Sequence, residues 1–223
     1  MNKLWEVTWE GELPASPQAV WASITKHSDG YLWPIEYEPR VGGAERGLTQ
    51  GGGTVTAWEP ERRFATRTRP EQERDGLNEI VFELEPLGDV TYVRYTHRAE
   101  IPEADYDVQL AMCRAHTTFY MHSLGQHACH FAGRAAAYAA ADVEGSLSDV
   151  LRGLGVPDGA VVGDRVTLTP AGEAPIDGVI DYASATMFGV RGADVLFRVY
   201  GRDTWGWPVG VTSHRFANGS EEA

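Results

Sequence analysis

Seven histidines in 223 residues are the first candidates for chemistry. An imidazole titrates near neutrality and binds metals, so each histidine can serve in acid–base work or in ligation. His127 and His130 stand three residues apart, a spacing at which one helix presents both to a single ion. His116 would lie about 16 Å further along that helix, too far to be a third ligand. No Cys-x-x-Cys, His-Glu-x-x-His or paired acidic signature completes a site, so neither a metal nor a cofactor is expected. His97, His127 and Tyr120 are the first choices for a general acid or base. With no nucleophile elbow or triad spacing beside them, hydrogen-bonded core or rim residues are the simpler reading, and no catalytic residue is assigned. Gly51-Gly52-Gly53 lacks the Gly-Lys-Ser/Thr of a phosphate loop, and Gly153-Leu154-Gly155 lacks the dinucleotide pattern. Glu10 with Glu12 and Glu36 with Glu38 alternate on strands and read as solvated faces.

The element that must position most of these groups is a proline-free stretch from Asp107 to about Ala139, read as one long helix. At 100° per residue Cys113, Tyr120, Leu124, Phe131, Ala135 and Tyr138 form an apolar arc. His116, Tyr120, Ser123, His127, His130 and Arg134 form a polar stripe beside it. Such a helix suits the lid of a partly polar cavity.

Before it the chain reads mostly as strands. Residues 3 to 13 alternate, with Trp5, Val7 and Trp9 on one face. Ser16-Pro17 starts a short helix with Val20, Trp21 and Ile24 on its buried face. Asp29-Gly30 and Trp33-Pro34 return the chain to extended structure. Strands are predicted over 35–42, 52–59, 62–69, 78–86 and 90–101, an antiparallel meander with short turns at Glu59-Pro60-Glu61 and Leu87-Gly88-Asp89. In the last strand Val93, Tyr95, His97, Ala99 and Ile101 share a mostly apolar face, which turns His97 inward.

A domain boundary is expected at 142/143, where Glu144-Gly145-Ser146 reads as a linker. Beyond it come a brief helix near 147–154 and strands near 164–169, 176–183, 186–191, 194–201 and 207–216. This part is either an unrelated small β domain or a shortened half-repeat. The second reading aligns Ser16, Val20, Trp21 and Ile24 with Ser146, Val150, Leu151 and Leu154. It also aligns Val55, Trp58, Phe64 and Arg67 with Val179, Tyr182, Phe188 and Arg191, and Thr96-His97-Arg98 with Ser213-His214-Arg215.

A net charge of −13 and a pI near 4.9 argue against nucleic acid or anionic membrane as partners. No apolar run is long enough to span a membrane and the first residues alternate, so a cytoplasmic location is expected. On one helix Cys113 and Cys129 would sit about 24 Å apart, beyond disulfide reach. Both are expected reduced, and the sequon at Asn218 idle.

The order of elements, with Ala15-Ser16-Pro17-Gln18-Ala19-Val20-Trp21, Trp33-Pro34, Gly52-Gly53-Thr54-Val55 and Trp58-Glu59-Pro60, resembles the START-like, helix-grip (SRPBCC) superfamily. Within it residues 1 to 142 are most similar to the branch of bacterial homologues of the heat-shock-chaperone ATPase activator and polyketide cyclase-like proteins. The resemblance implies an α+β fold, an antiparallel sheet wrapped around a long C-terminal helix with an apolar cavity between them. Residues 143 to 223 would add a small, mainly-β domain. Placed on that fold, Trp21, Trp33, Trp58, Phe64, Phe82 and Tyr95 would line the cavity. His97, His116, Tyr120, Ser123 and His127 would supply its polar groups, with His97 and His127 approaching one space.

Three functions compete: binding of a small apolar or aromatic molecule, catalysis of cyclase or hydrolase type, and a co-chaperone-like interaction with a protein partner. The lack of a catalytic constellation favours binding. Phe197, Tyr200, Trp205 and Trp207 crowd the tail, where an apolar sheet face would need the first domain or a second copy of the chain, a homodimer, as cover.

Overall fold

The structure, a computed structural model, describes residues 2–69 and 76–217. Asn218 falls outside them. The chain forms two compact units divided between Gly133 and Arg134. The division precedes the expected boundary at 142/143, because the residues between are a strand of the second sheet.

The first unit has the α+β helix-grip architecture. Its strands are β1 (Asn2–Leu13), β2 (Glu36–Tyr37), β3 (Ala44–Arg46), β4 (Gly53–Glu59), β5 (Arg63–Thr68), β6 (Asn78–Leu87) and β7 (Val90–Pro102). They form one antiparallel sheet in the order β1-β7-β6-β5-β4-β3-β2, so the last strand returns beside the first. Helix α1 (Pro17–Lys26) follows β1: the Ser16 hydroxyl accepts from the Ala19 amide, and Pro17 occupies a first-turn position where its missing N–H costs nothing. The β6–β7 hairpin pairs Leu87 with Val90, and Gly88 takes the left-handed conformation that this tight connection needs.

Helix α2 (Tyr106–His130) buries Thr117, Met121, Leu124 and Ala128, spaced four, three and four residues apart along one face. Met121, Leu124 and Ala128 share a core with Val20, Trp21 and Ile24 of α1 and with Phe64, Phe82, Val93 and Tyr95 of the sheet. The start of α2 closes a smaller cluster, in which Tyr106, Leu110 and Cys113 pack on Trp5, Val7 and Ala99.

The helix does not continue to Ala139. It is capped at Phe131 and Gly133 turns left-handed. Ala136–Val143 then forms β8, paired along its whole length with the final strand. Alanine is the best helix former, but eight residues of ladder outweigh its preference of a few tenths of a kcal/mol per residue. Arg134, Ala135 and Tyr138 therefore leave the helical faces assigned to them. Arg134 instead donates to the Ala217, Phe216 and Ala193 carbonyls.

The second unit comprises β8, α3 (Leu147–Gly153), β9 (Arg165–Leu168), β10 (Ile176–Ala183), β11 (Met187–Gly192), β12 (Val195–Tyr200) and β13 (Val209–Phe216). Its sheet order, β8-β13-β12-β11-β10-β9, follows the path of the first: strand, Ser-capped short helix, antiparallel meander, last strand beside the first. Cross-strand partners Phe64–Phe82–Tyr95 have the same relation as Phe188–Val199–Val211. His97, two residues beyond Tyr95, thus corresponds to Ser213. The alignment with His214 is one residue out, and a slip of one reverses the face. By the same ladders Val55 answers to Ile180 rather than Val179.

Phe197 needs no outside cover, since it lies in a core that Val150 of α3 and Leu154, the residue capping that helix, close within the unit. Tyr200 is also buried, whereas Trp207 is 53% exposed.

Candidate functional site

Period-two alternation turns Val93, Tyr95, His97 and Ala99 toward one face of β7. The ladder sets His97 opposite Val7 of β1 on one side and Ile80 of β6 on the other. His97 Nε2 lies 2.7 Å from Asn78 Oδ1, Asn78 Nδ2 donates to Thr49 Oγ1 at 3.2 Å, and the Cys113 thiol is 3.6 Å from His97 Nδ1. Trp5 meets the imidazole edge-on, with ring centres 4.7 Å apart.

Because Asn78 Oδ1 can only accept, His97 Nε2 carries the hydrogen and donates; Nδ1 is then the acceptor for the Cys113 S–H. A directed chain, Cys113 to His97 to Asn78 to Thr49, thus crosses from α2 through the sheet. Burial lowers the His97 pKa to about 4 and raises the Cys113 thiol to about 11. At neutral pH both are uncharged, so this is not a thiolate–imidazolium nucleophile.

A cavity of about 560 Å³ opens beside this chain, lined by Trp5, Thr49, Thr68, Asn78, His97 and Ala99 among others. One donor chain ends at it. The Thr49 hydroxyl is the terminus of the chain, and the buried Trp5 indole N–H has no hydrogen-bond partner among the described residues.

The depressed pKa of His97 has a measurable consequence. Between pH 6.5 and 4 the unfolded chain binds a proton that the folded one refuses, so stability is full above pH 6.5 and falls as the pH drops. At about 1.4 kcal/mol per unit, the loss attributable to His97 is roughly 2.5 kcal/mol at pH 4.5. Urea titrations at pH 7.5 and 4.5 are expected to show a steeper decline for the natural chain than for His97→Gln; equal declines would mean that the imidazole is solvated.

The other expected site residues fall into separate groups. Trp21, Trp58 and Phe64 meet edge-on at 5.2 to 6.2 Å, and Phe82 continues the contact from Phe64 to Tyr95. They pack on one another as core. Trp33, Tyr120 and His116 form a second group: Trp33 donates its indole N–H to the Gly47 carbonyl, and His116 Nδ1 donates to Met112 O. Ser123 is fully buried.

His127, also fully buried, forms a third group. Ser23 donates its hydroxyl to the Ala19 carbonyl, so His127 Nδ1 donates to Ser23 Oγ, at 2.8 Å. The Tyr31 and His27 rings stand 6.3 Å from it, and a side chain at Gly30 would collide with the imidazole. His127 follows Cys113 by fourteen residues on α2, about 21 Å of helix. His97 and His127 therefore do not share a space, because the two ends of the helix contact different parts of the sheet. Nor do His127 and His130 share an ion site, one being buried and the other exposed. Among the described residues no three His, Cys, Asp or Glu side chains cluster as metal ligands.

Trp5, Thr49, Asn78 and Cys113 were absent from the expected site. The alternation of β1 already turned Trp5 inward with Val7. Asn78 and Thr49 are distant in sequence, and only the strand register brings them to His97.

The family model described as activator of Hsp90 ATPase homolog 1-like protein matches residues 14–127. The chain belongs to that family. The match lies within the first unit. Similar solved structures include the Aha1 dimer from Colwellia psychrerythraea, 22% identical, with a TM-score of 0.44 over 55% of this chain and 95% of that one. CalU16 from Micromonospora echinospora is 17% identical, TM-score 0.38, over 58% and 92%. Norcoclaurine synthase from Thalictrum flavum, in complex with dopamine and hydroxybenzaldehyde, is 13% identical, TM-score 0.39, over 56% and 86%. At these scores function has to be argued from the residues. No curated protein matches. Among the described residues no helix is long and apolar enough to cross a membrane.

Proposed function

We propose that the first unit binds a small, mainly apolar molecule bearing a hydrogen-bond acceptor, in the cavity beside His97, and performs no chemistry on it. The observation that carries this reading is the directed chain from Cys113 through His97 and Asn78 to Thr49, a residue of the cavity wall. The Thr49 hydroxyl, already accepting from Asn78, has its proton to offer, so a carbonyl, ether or phenolic oxygen is the complementary group. An imidazole with a pKa of about 4 is a weak base at neutral pH, and a thiol near 11 is a poor nucleophile, which sets binding ahead of a cyclase or hydrolase reaction. Cys113 and Cys129 are both free thiols, in keeping with a reducing, cytoplasmic setting. A co-chaperone-like role has the family description as its support.

Native mass spectrometry of the freshly purified full chain tests the reading. A small molecule should remain bound, and Thr49→Val should weaken its binding about fivefold, the value of one neutral hydrogen bond. A chain that retains nothing, or a variant that binds as well as the parent, would refute it.

A further inference from the structure

The second unit repeats the strand path of the first but, among the described residues, has no long helix laid over the junction of its first and last strands. In the first unit Val7 and Trp9 of β1, opposite His97 and Tyr95, are packed against α2 and the core around it. Their counterparts by register are Ala139 and Ala141 of β8, opposite Ser213 and Val211. Both alanines are exposed, and α3 has only seven residues. What remains is a groove of about 510 Å³, bounded by Ala139, Ala141, Val150, Leu154, Phe197 and Ser213 among others.

We infer that this groove is a second binding site, for a small, neutral, mainly apolar molecule with one group able to hydrogen-bond to Ser213. Its volume lies within the range of small-molecule pockets. A docked helix about 10 Å across would fill the same volume in little more than one turn, too short a contact for a grip helix. The polar groups at the rim are already engaged: Glu173 pairs with Arg215 and the Thr169 hydroxyl donates to the Leu154 carbonyl. Ser213, at the position that His97 holds in the first unit, makes no side-chain hydrogen bond among the described residues. It is therefore the group that a ligand's donor or acceptor can reach. The pairing of Glu173 with Arg215 leaves no net charge to attract an ion.

The test is a titration of the ¹⁵N-labelled full chain with N-phenyl-1-naphthylamine, a neutral apolar probe with one N–H. Saturable amide shifts are expected at Ala139, Ala141 and Ser213. Ala141→Phe, an exposed edge-strand position where an aromatic is tolerated, should weaken them at least tenfold, and Ala139→Leu serves as a smaller plug should that variant not fold. Thr49→Val should leave them unchanged. Absence of saturable shifts at these residues, or shifts indifferent to both plugs, would overturn the inference. So would a parent chain that sediments as a dimer and becomes monomeric on plugging, since a second copy would then be the occupant.

Discussion

Asp181→Ala is expected to destabilise the chain by about 3–5 kcal/mol, the usual cost of removing one partner from a buried ion pair. The Arg198 side chain on β12 is fully buried, and its two terminal nitrogens donate to the two Asp181 oxygens on β10 at 2.8 Å each. Strand β11 runs between them. The pair passes over Gly189, where a Cβ would lie 2.6 Å from the guanidinium, so only glycine leaves room. A register shift between Ile180 and Tyr182 makes Asp181 the extra residue of a bulge, which re-aims its side chain toward Arg198. Without the carboxylate a desolvated cation loses its anionic partner. Urea denaturation gives the number, and Asp181→Ala combined with Arg198→Met should recover much of it. A loss under about 1 kcal/mol would show that water reaches the guanidinium.

Leu124→Ala is the second large effect, an expected loss of about 2–5 kcal/mol. Leu124 is fully buried between Met121 and Ala128 along α2, in the core shared with Trp21, Ile24 and Phe82. The sheet on one side and α1 on the other are tied by their own hydrogen bonds, so neither can collapse into the space a leucine vacates. Denaturant titration is the check; a loss below about half a kcal/mol would mean that the helix presents another face.

The elements whose signals are local were legible. The alternation of β1, the Ser16-Pro17 helix start and the β6–β7 turn each depend on residues adjacent in sequence. The end of α2 was not, because the alanines after Gly133 favour helix intrinsically and only β13, some seventy residues on, makes them a strand. In the site, alternation with Tyr95 was enough to turn His97 inward. Its partners were hidden, since Asn78 and Thr49 reach it through the register of a meander whose bulge cannot be counted from sequence. His127 lies about 60° around α2 from Leu124, three residues earlier, so its place near the buried face was legible while its distance from His97 was not; that depends on how α2 lies across the sheet. The one-residue slip between His97 and His214 arises because apolar spacing along single strands does not fix how successive strands pair; the ladders from Phe64 through Phe82 to Tyr95 and from Phe188 through Val199 to Val211 do.

The claim that the first unit binds its ligand at the His97 chain is tested most directly by the imidazole ¹⁵N resonances of His97, followed at neutral pH while the molecule retained on purification is removed and returned. The account predicts a neutral ring protonated on Nε2 in both states, with a saturable shift of the His97 and Asn78 signals on rebinding and none at His127. A charged ring, or a response at His127 with His97 unmoved, would contradict it.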